Sequence, residues 1–160
     1  KKFDLTGMRR HVEWMFGRPI PKAEEETLNE EKKEDTGLLV ARILMPILFI
    51  VAGYGKMGDA YAGTQQYMQS MGVPGFLLPL TILLEFGGGL AILFGFLTRT
   101  VALFTAGFTI LTALLFHTDF AEGVNQLMFM KNLTIAGGFI VLAVAGPGGF
   151  SIDRLLNKKW

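Results

Sequence analysis

From Gly75 to Leu97 the chain holds a single ionisable side chain, Glu85, inside an otherwise apolar run. A run of that length and character reads as a membrane span, which needs about 20 apolar residues at 1.5 Å each. Glu85 then lies near mid-bilayer, where an ionised side chain costs between about 2.5 and about 17 kcal/mol, so that it faces the protein interior and needs a partner. Which group answers that carboxylate is the question the rest of the chain is read for.

The 160 residues are 51% hydrophobic, yet the charge is segregated. The first 35 residues carry eight Lys or Arg and nine acids, whereas Leu38 to Gly146 carries four Lys or Arg, at Arg42, Lys56, Arg99 and Lys131. A net charge near zero makes no case for nucleic acid; the segregation makes the case for a lipid bilayer. With no cysteine in the chain, dithiol exchange and thiolate-held zinc or iron-sulfur sites cannot be built. A haem held by two histidines is not expected, because His11 is remote from the apolar region and His117 alone borders it. No metal site is therefore expected, and no cofactor is identifiable from the residues.

Residues 1–35 form a charged N-terminal arm, basic as far as Lys22 and acidic from Ala23 to Asp35. The basic half, with Trp14 and Phe16 among its arginines, suits an anionic membrane surface; a solvated arm is the plainer reading. The chain begins on Lys, so this arm is expected to be an extra or a foreign segment, and no A-x-A-like cleavage site follows it. The remainder, 36–160, reads as an all-α four-helix transmembrane bundle with spans at about 37–55, 76–97, 101–116 and 127–146. Thr36 or Asp35 is the expected cap of the first span and Pro46 its kink. Ala60 to Met71 reads as a short helix lying in the interface or covering the bundle mouth, and Thr98 to Thr100 as the tight turn between spans two and three. Gly146 to Gly149 ends span four, and Ser151 caps an interfacial tail helix that ends at Lys158, Lys159 and Trp160.

Loop charges place Arg18, Lys22, Lys32, Lys33, Arg99, Arg154, Lys158 and Lys159 on one side, against Lys56 and Lys131 on the other. The positive-inside rule then puts both termini in the cytoplasm. On that topology Arg42 lies roughly 8 Å from the inner edge, Glu85 roughly 13 Å from the outer edge and Lys131 roughly 6 Å from it. Lys56 and His117 fall at the outer rim. Two readings of Glu85 follow. In one, a buried charge pair of Arg42 with Glu85 pins helix register. In the other, Glu85 is a proton-accepting or ligand-anchoring carboxylate in a cavity open to the outer side, with His117 and Lys131 as further catalytic candidates. The four-residue spacing of Gly87, Ala91 and Gly95 is read as helix packing.

The runs Arg42 to Lys56, Leu83 to Arg99, Phe116-His117 and Met130 to Gly138 together resemble the DoxX family of small four-span bacterial membrane proteins, and within it the YqjF-like branch. The likeness covers about Asp35 to Trp160. It implies a multi-pass bacterial inner-membrane protein, similar to the small subunit of thiosulfate:quinone oxidoreductase, that acts as a subunit or accessory of a membrane oxidoreductase or quinol-oxidase system at or near quinone. The family's recurrent polar positions correspond to Arg42, Lys56, Glu85, Arg99, His117, Lys131 and Asn132. A redox partner protein, or further copies of the chain, would complete the system. The alternatives are a small proton-coupled transporter or efflux component, and a structural assembly partner in a membrane complex.

Overall fold

The structure, a computed structural model, describes residues 21–156. Contacts divide the chain into two units, 1–34 and 35–160. Helix α1, Lys22–Leu44, starts directly after Pro21, whose carbonyl accepts the amides of Glu24 and Glu25 at 2.9 and 3.1 Å. Those two acids occupy the first turn, where the helix dipole favours negative charge. The helix does not begin at Thr36 or Asp35, as the capping residues suggest. Asp35 instead accepts the amide of Gly149 at 2.6 Å. The basic stretch expected at residues 1–20 and the tail residues Lys158 to Trp160 lie outside the described residues.

Pro46 has no amide to donate, and a turn at residues 45 and 46 separates α1 from α2, Ile47–Gly55. The short helix α3, Ala60–Ser70, follows. The next span is composite: a 3-10 turn, Gly75–Leu77, then α4, Leu78–Ile82, a π-helical turn, Leu83–Gly87, and α5, Gly88–Phe94. Helices α6, Thr98–Phe116, and α7, Gly123–Ala145, pair along their length, and α8, Ile152–Leu155, closes the described chain. Among the described residues, four helices are long and apolar enough to cross a membrane: Lys22–Gly55, Gly75–Phe94, Thr98–Phe116 and Gly123–Ala145. Their outward faces are consistent with that, since Val51, Phe76, Leu83, Phe104, Val141 and Val144 are all exposed; soluble monomers do not carry so large an apolar surface.

The core is built from a few large side chains among small ones. Phe49 meets Phe139 edge-on at 5.3 Å, and Ile92, Ala102, Ala106, Ala136 and Leu142 are buried around them. Small residues allow backbones to approach closely, which is how helices gain packing energy in lipid. Within the spans, close approaches fall at Gly53, where an added Cβ would sit 2.6 Å from the amide nitrogen of Phe86, and at Gly89, where it would sit 2.7 Å from Ile50 Cγ1. The face expected from four-residue spacing is displaced. A Cβ at Gly87 would meet Leu83 of its own helix, and Ala91 is half-buried, whereas Gly88 and Gly89 turn to the neighbouring helices. The π turn adds a residue to the helical repeat and so rotates the contact face past Gly87.

Gly95 ends this span instead of packing within it. It adopts a positive φ of 69° after α5, and a Cβ there would collide with Arg42 and Ser151. The tight turn therefore covers Gly95 to Leu97, and Thr98 to Thr100 already belong to α6. Asp153, buried, holds that turn from far along the chain: its two carboxylate oxygens accept the amides of Leu97 and Thr98, each at 2.9 Å, and its own amide donates to Gly95 O at 2.9 Å. Those are orphan donors of the α6 N-terminus, supplied with an acceptor by tertiary contact instead of by a local cap. Ser151 caps α8 as its position suggests, accepting from Arg154 N at 3.2 Å. At the same end of the bundle, Arg99 donates to the carbonyls of Ala143, Val144 and Ala145 at the end of α7.

Replacing Asp153 with Ala removes two buried hydrogen bonds to a helix N-terminus. We expect a loss of about 2 kcal/mol, read as a lowered midpoint in thermal unfolding of the detergent-purified protein, with Asp153→Asn intermediate because one acceptor remains.

Candidate functional site

Glu85 sits in the middle of the π turn, and that turn has a local cause. Gly87, Gly88 and Gly89 follow it directly, and consecutive glycines hold an α-helical repeat weakly. The amide of Gly88 reaches the carbonyl of Leu83, five residues back, in place of the usual four. Turns of this kind are frequent at functional positions because they re-aim a side chain. Against the same turn, Gly53 lets α2 approach within contact distance of the Glu85 Cβ.

That approach brings in the partner of Glu85. Lys56, the residue after α2, turns back toward the bundle, and its Nζ lies 2.6 Å from Glu85 Oε2 and 3.3 Å from Ala52 O. The Glu85 side chain is 10% exposed and that of Lys56 27%. The pair is thus partly buried and hydrogen-bonded, the arrangement in which an ion pair at membrane depth is tolerable. Glu85 Oε1 has no hydrogen bond to any described residue.

The expected Arg42–Glu85 pair does not form. Arg42 is fully buried but donates to Phe150 O and to Leu93 O, the latter at 3.4 Å. Leu93 is eight residues beyond Glu85, about 12 Å further along the same span, which is beyond the reach of a guanidinium. Arg42 thus belongs to the end of the bundle where Gly95, Ser151 and Asp153 meet, and its Nε has no hydrogen-bond partner among the described residues. Lys131 is not the ion-pair partner of Glu85 either.

What the structure does bring together is Glu85, His117 and Lys131, all on the wall of one cavity of about 470 Å³. Lys56 and Asn132 line it too, with Thr109 and Thr112 from α6, and the rest of the wall is chiefly aliphatic and aromatic. Helix α3 contributes Thr64, Tyr67 and Met68 to the same wall; Tyr67 stacks on Phe116 at 5.7 Å and Met68 is buried. The stretch Ala60 to Ser70 therefore covers the cavity. His117 is half-buried, and its Nδ1 lies 3.4 Å from Asn125 Oδ1, while Asn125 Nδ2 donates to Glu122 Oε2 at 3.3 Å. Helix α7 begins at Gly123 and not near Leu127, so that eight residues, about 12 Å, precede Lys131 in the helix, and Lys131 is exposed.

An apolar wall with a few polar groups, in this volume range, is the composition found in small-molecule sites. Among the described residues no group of three or more His, Asp or Glu is placed to hold a metal ion. Sequence reasoning missed the role of Lys56, which it left at the rim. The available signal was that Lys56 precedes the only loop joining α2 to the span of Glu85, with a stem long enough to reach inward as well as outward. Thr109 and Thr112 were hidden by their apolar surroundings in the sequence.

Removing one member of the pair leaves the other charge stranded. Lys56→Met and Glu85→Gln are each expected to cost about 2 kcal/mol or more, while the double substitution recovers most of that loss; a double-mutant cycle on unfolding midpoints in detergent measures the coupling.

A model of the DoxX family matches residues 37–118. Among curated proteins, the chain is 79% identical over 130 residues to "Inner membrane protein YqjF" of Escherichia coli K12, covering 81% of this chain and 99% of that protein. It is 40% identical over 124 residues to "Inner membrane protein YphA" of the same organism, covering 73% and 88%. A more distant relative, "Putative oxidoreductase CatD" of Bacillus subtilis, is 32% identical over 127 residues, covering 79% and 92%. No solved structure matches the chain.

Proposed function

Because the chain belongs to the DoxX family, we propose that it is a bacterial inner-membrane protein that binds a quinone or quinol and serves a membrane oxidoreductase. The inner-membrane placement is supported by two relatives so named and by four candidate spans. The oxidoreductase reading is supported by the name of a third relative. The single observation that carries the quinone reading is the cavity, whose apolar wall suits a ring and its chain and whose polar groups, at Lys56, Glu85, His117, Lys131 and Asn132, suit ring oxygens.

The donor set fits such a ligand on chemical grounds. A bound quinol supplies two electrons and two protons. Glu85, whose Oε1 has no hydrogen bond to a described residue, accepts a hydroxyl, and the ammonium of Lys131 and the amide of Asn132 donate to a carbonyl or ionised oxygen. His117 stands at the same wall as a group able to take a proton. Phe49, Phe108 and Leu84 keep water from the ring. Electrons pass to a partner protein, and the polar groups of this chain hold the ligand and manage its protons.

Both termini are assigned to the cytoplasm, from the excess of Arg and Lys around Arg99 and Arg154 over the opposite end. The cavity then opens toward the outer side. The chain has no cysteine, so Asp119→Cys is a unique label site; it should react with a membrane-impermeant maleimide applied to intact spheroplasts, and protection until lysis would reverse the orientation.

Titration of the purified protein with a short-chain quinol analogue, followed by intrinsic tryptophan and ligand fluorescence, should saturate. Glu85→Gln should weaken binding about tenfold, the effect of one hydrogen bond to a charged group. Absence of binding by the parent protein, or binding indifferent to Glu85, would refute the reading, and uptake into proteoliposomes driven by a pH gradient would point to transport instead.

A further inference from the structure

The charges around the cavity do not balance. The ionisable side chains that line it are Lys56, Glu85, His117 and Lys131, with the phenol of Tyr67. Glu85 is the one carboxylate among them, and it is already engaged by Lys56 at 2.6 Å. The His117 ring shares its Nδ1 with Asn125. That leaves the ammonium of Lys131, which has no hydrogen bond or ion pair to a described residue. It stands about 12 Å into α7, on a wall shared with Phe108, Leu111 and Phe116.

Lys131 is exposed where it lines the cavity, so its ammonium is open to a ligand there and has no counter-charge among the described residues. An ionised oxygen placed against it forms a charge-assisted hydrogen bond, roughly twice as strong as a neutral one. Asn132, next in the chain and on the same wall, offers an amide N–H to the same oxygen.

We propose that the cavity selects the anionic form of an acidic quinone, one whose ring carries an ionisable hydroxyl, with the Lys131 ammonium as its counter-ion and the Lys56–Glu85 pair left intact. The proposal rests on the quinone reading above and adds the charge state of the ligand and the residue that chooses it. Glu85 does not repel such a ligand, because Lys56 neutralises it. Lys131 is a specificity-determining residue here, acting by direct contact with the ligand.

The test compares two probes on the full chain in nanodiscs of zwitterionic lipid: a lipophilic hydroxynaphthoquinone, ionised at neutral pH, and its methyl ether, which is neutral and of nearly the same shape. Partition into empty nanodiscs is subtracted. The ionised probe should bind the parent protein about tenfold more tightly than the ether. Lys131→Met should abolish that preference by weakening the ionised probe about tenfold more than the ether, with circular dichroism reporting that the variant is folded, and Lys131→Arg should retain it. Equal affinities for the two probes in the parent protein would overturn anion selection and leave the quinone site standing. A preference that survives in Lys131→Met but disappears in Lys56→Met would overturn the assignment to Lys131. If neither probe binds, the quinone reading fails and this inference fails with it.

Discussion

The arrangement of the helices turns on the ion pair between Lys56 and Glu85. A carboxylate ten residues into an apolar span is tolerated only with a partner, and the partner comes from the adjacent helix across the intervening loop. For the pair to close at 2.6 Å, α2 must come nearly into backbone contact with the neighbouring span, which Gly53 and Gly89 permit, and Glu85 must be aimed by the π turn that the glycines after it allow. The same close approach that satisfies the charge places both Lys56 and Glu85 on the cavity wall. Packing and site are therefore one problem with one solution.

Polar groups elsewhere answer to the same constraint, that a backbone or charged group away from water must find a partner within the protein. Arg42 and Asp153, both buried, tie the turn at Gly95 to the segment Phe150–Asp153, and Arg99 supplies donors to the carbonyls that end α7. These contacts join residues more than forty positions apart. They gather at the end of the bundle away from the cavity, so that one end is locked by hydrogen bonds while the other is left hollow and apolar.

Much of the fold was legible because it depends on composition along single helices. The break at Pro46, the stop at Gly146 and the cap at Ser151 are local properties, and the structure follows them, whereas the first helix begins at Lys22, well before the apolar run that starts near Gly37. The displacement of the tight turn to Gly95–Leu97 was not legible, because Asp153 supplies the cap that makes Thr98 helical from 55 residues away. The presence of Glu85, His117 and Lys131 on a common wall was readable as a hypothesis from helix ends and depths.

What the sequence by itself determined is that one carboxylate lies within a membrane-length apolar helix and must be answered, with Arg42 on one side and Lys131 and His117 on the other as the candidates. What only the tertiary structure decided is that a different residue, Lys56, answers it. Arg42 is held about two turns away along the neighbouring span, Lys131 lies across the cavity wall, and Lys56 folds inward. The reason is physical. Reach along a helix can be counted in residues, but the facing of a side chain depends on the close approach of α2 and on a π turn, and both arise only when the helices pack.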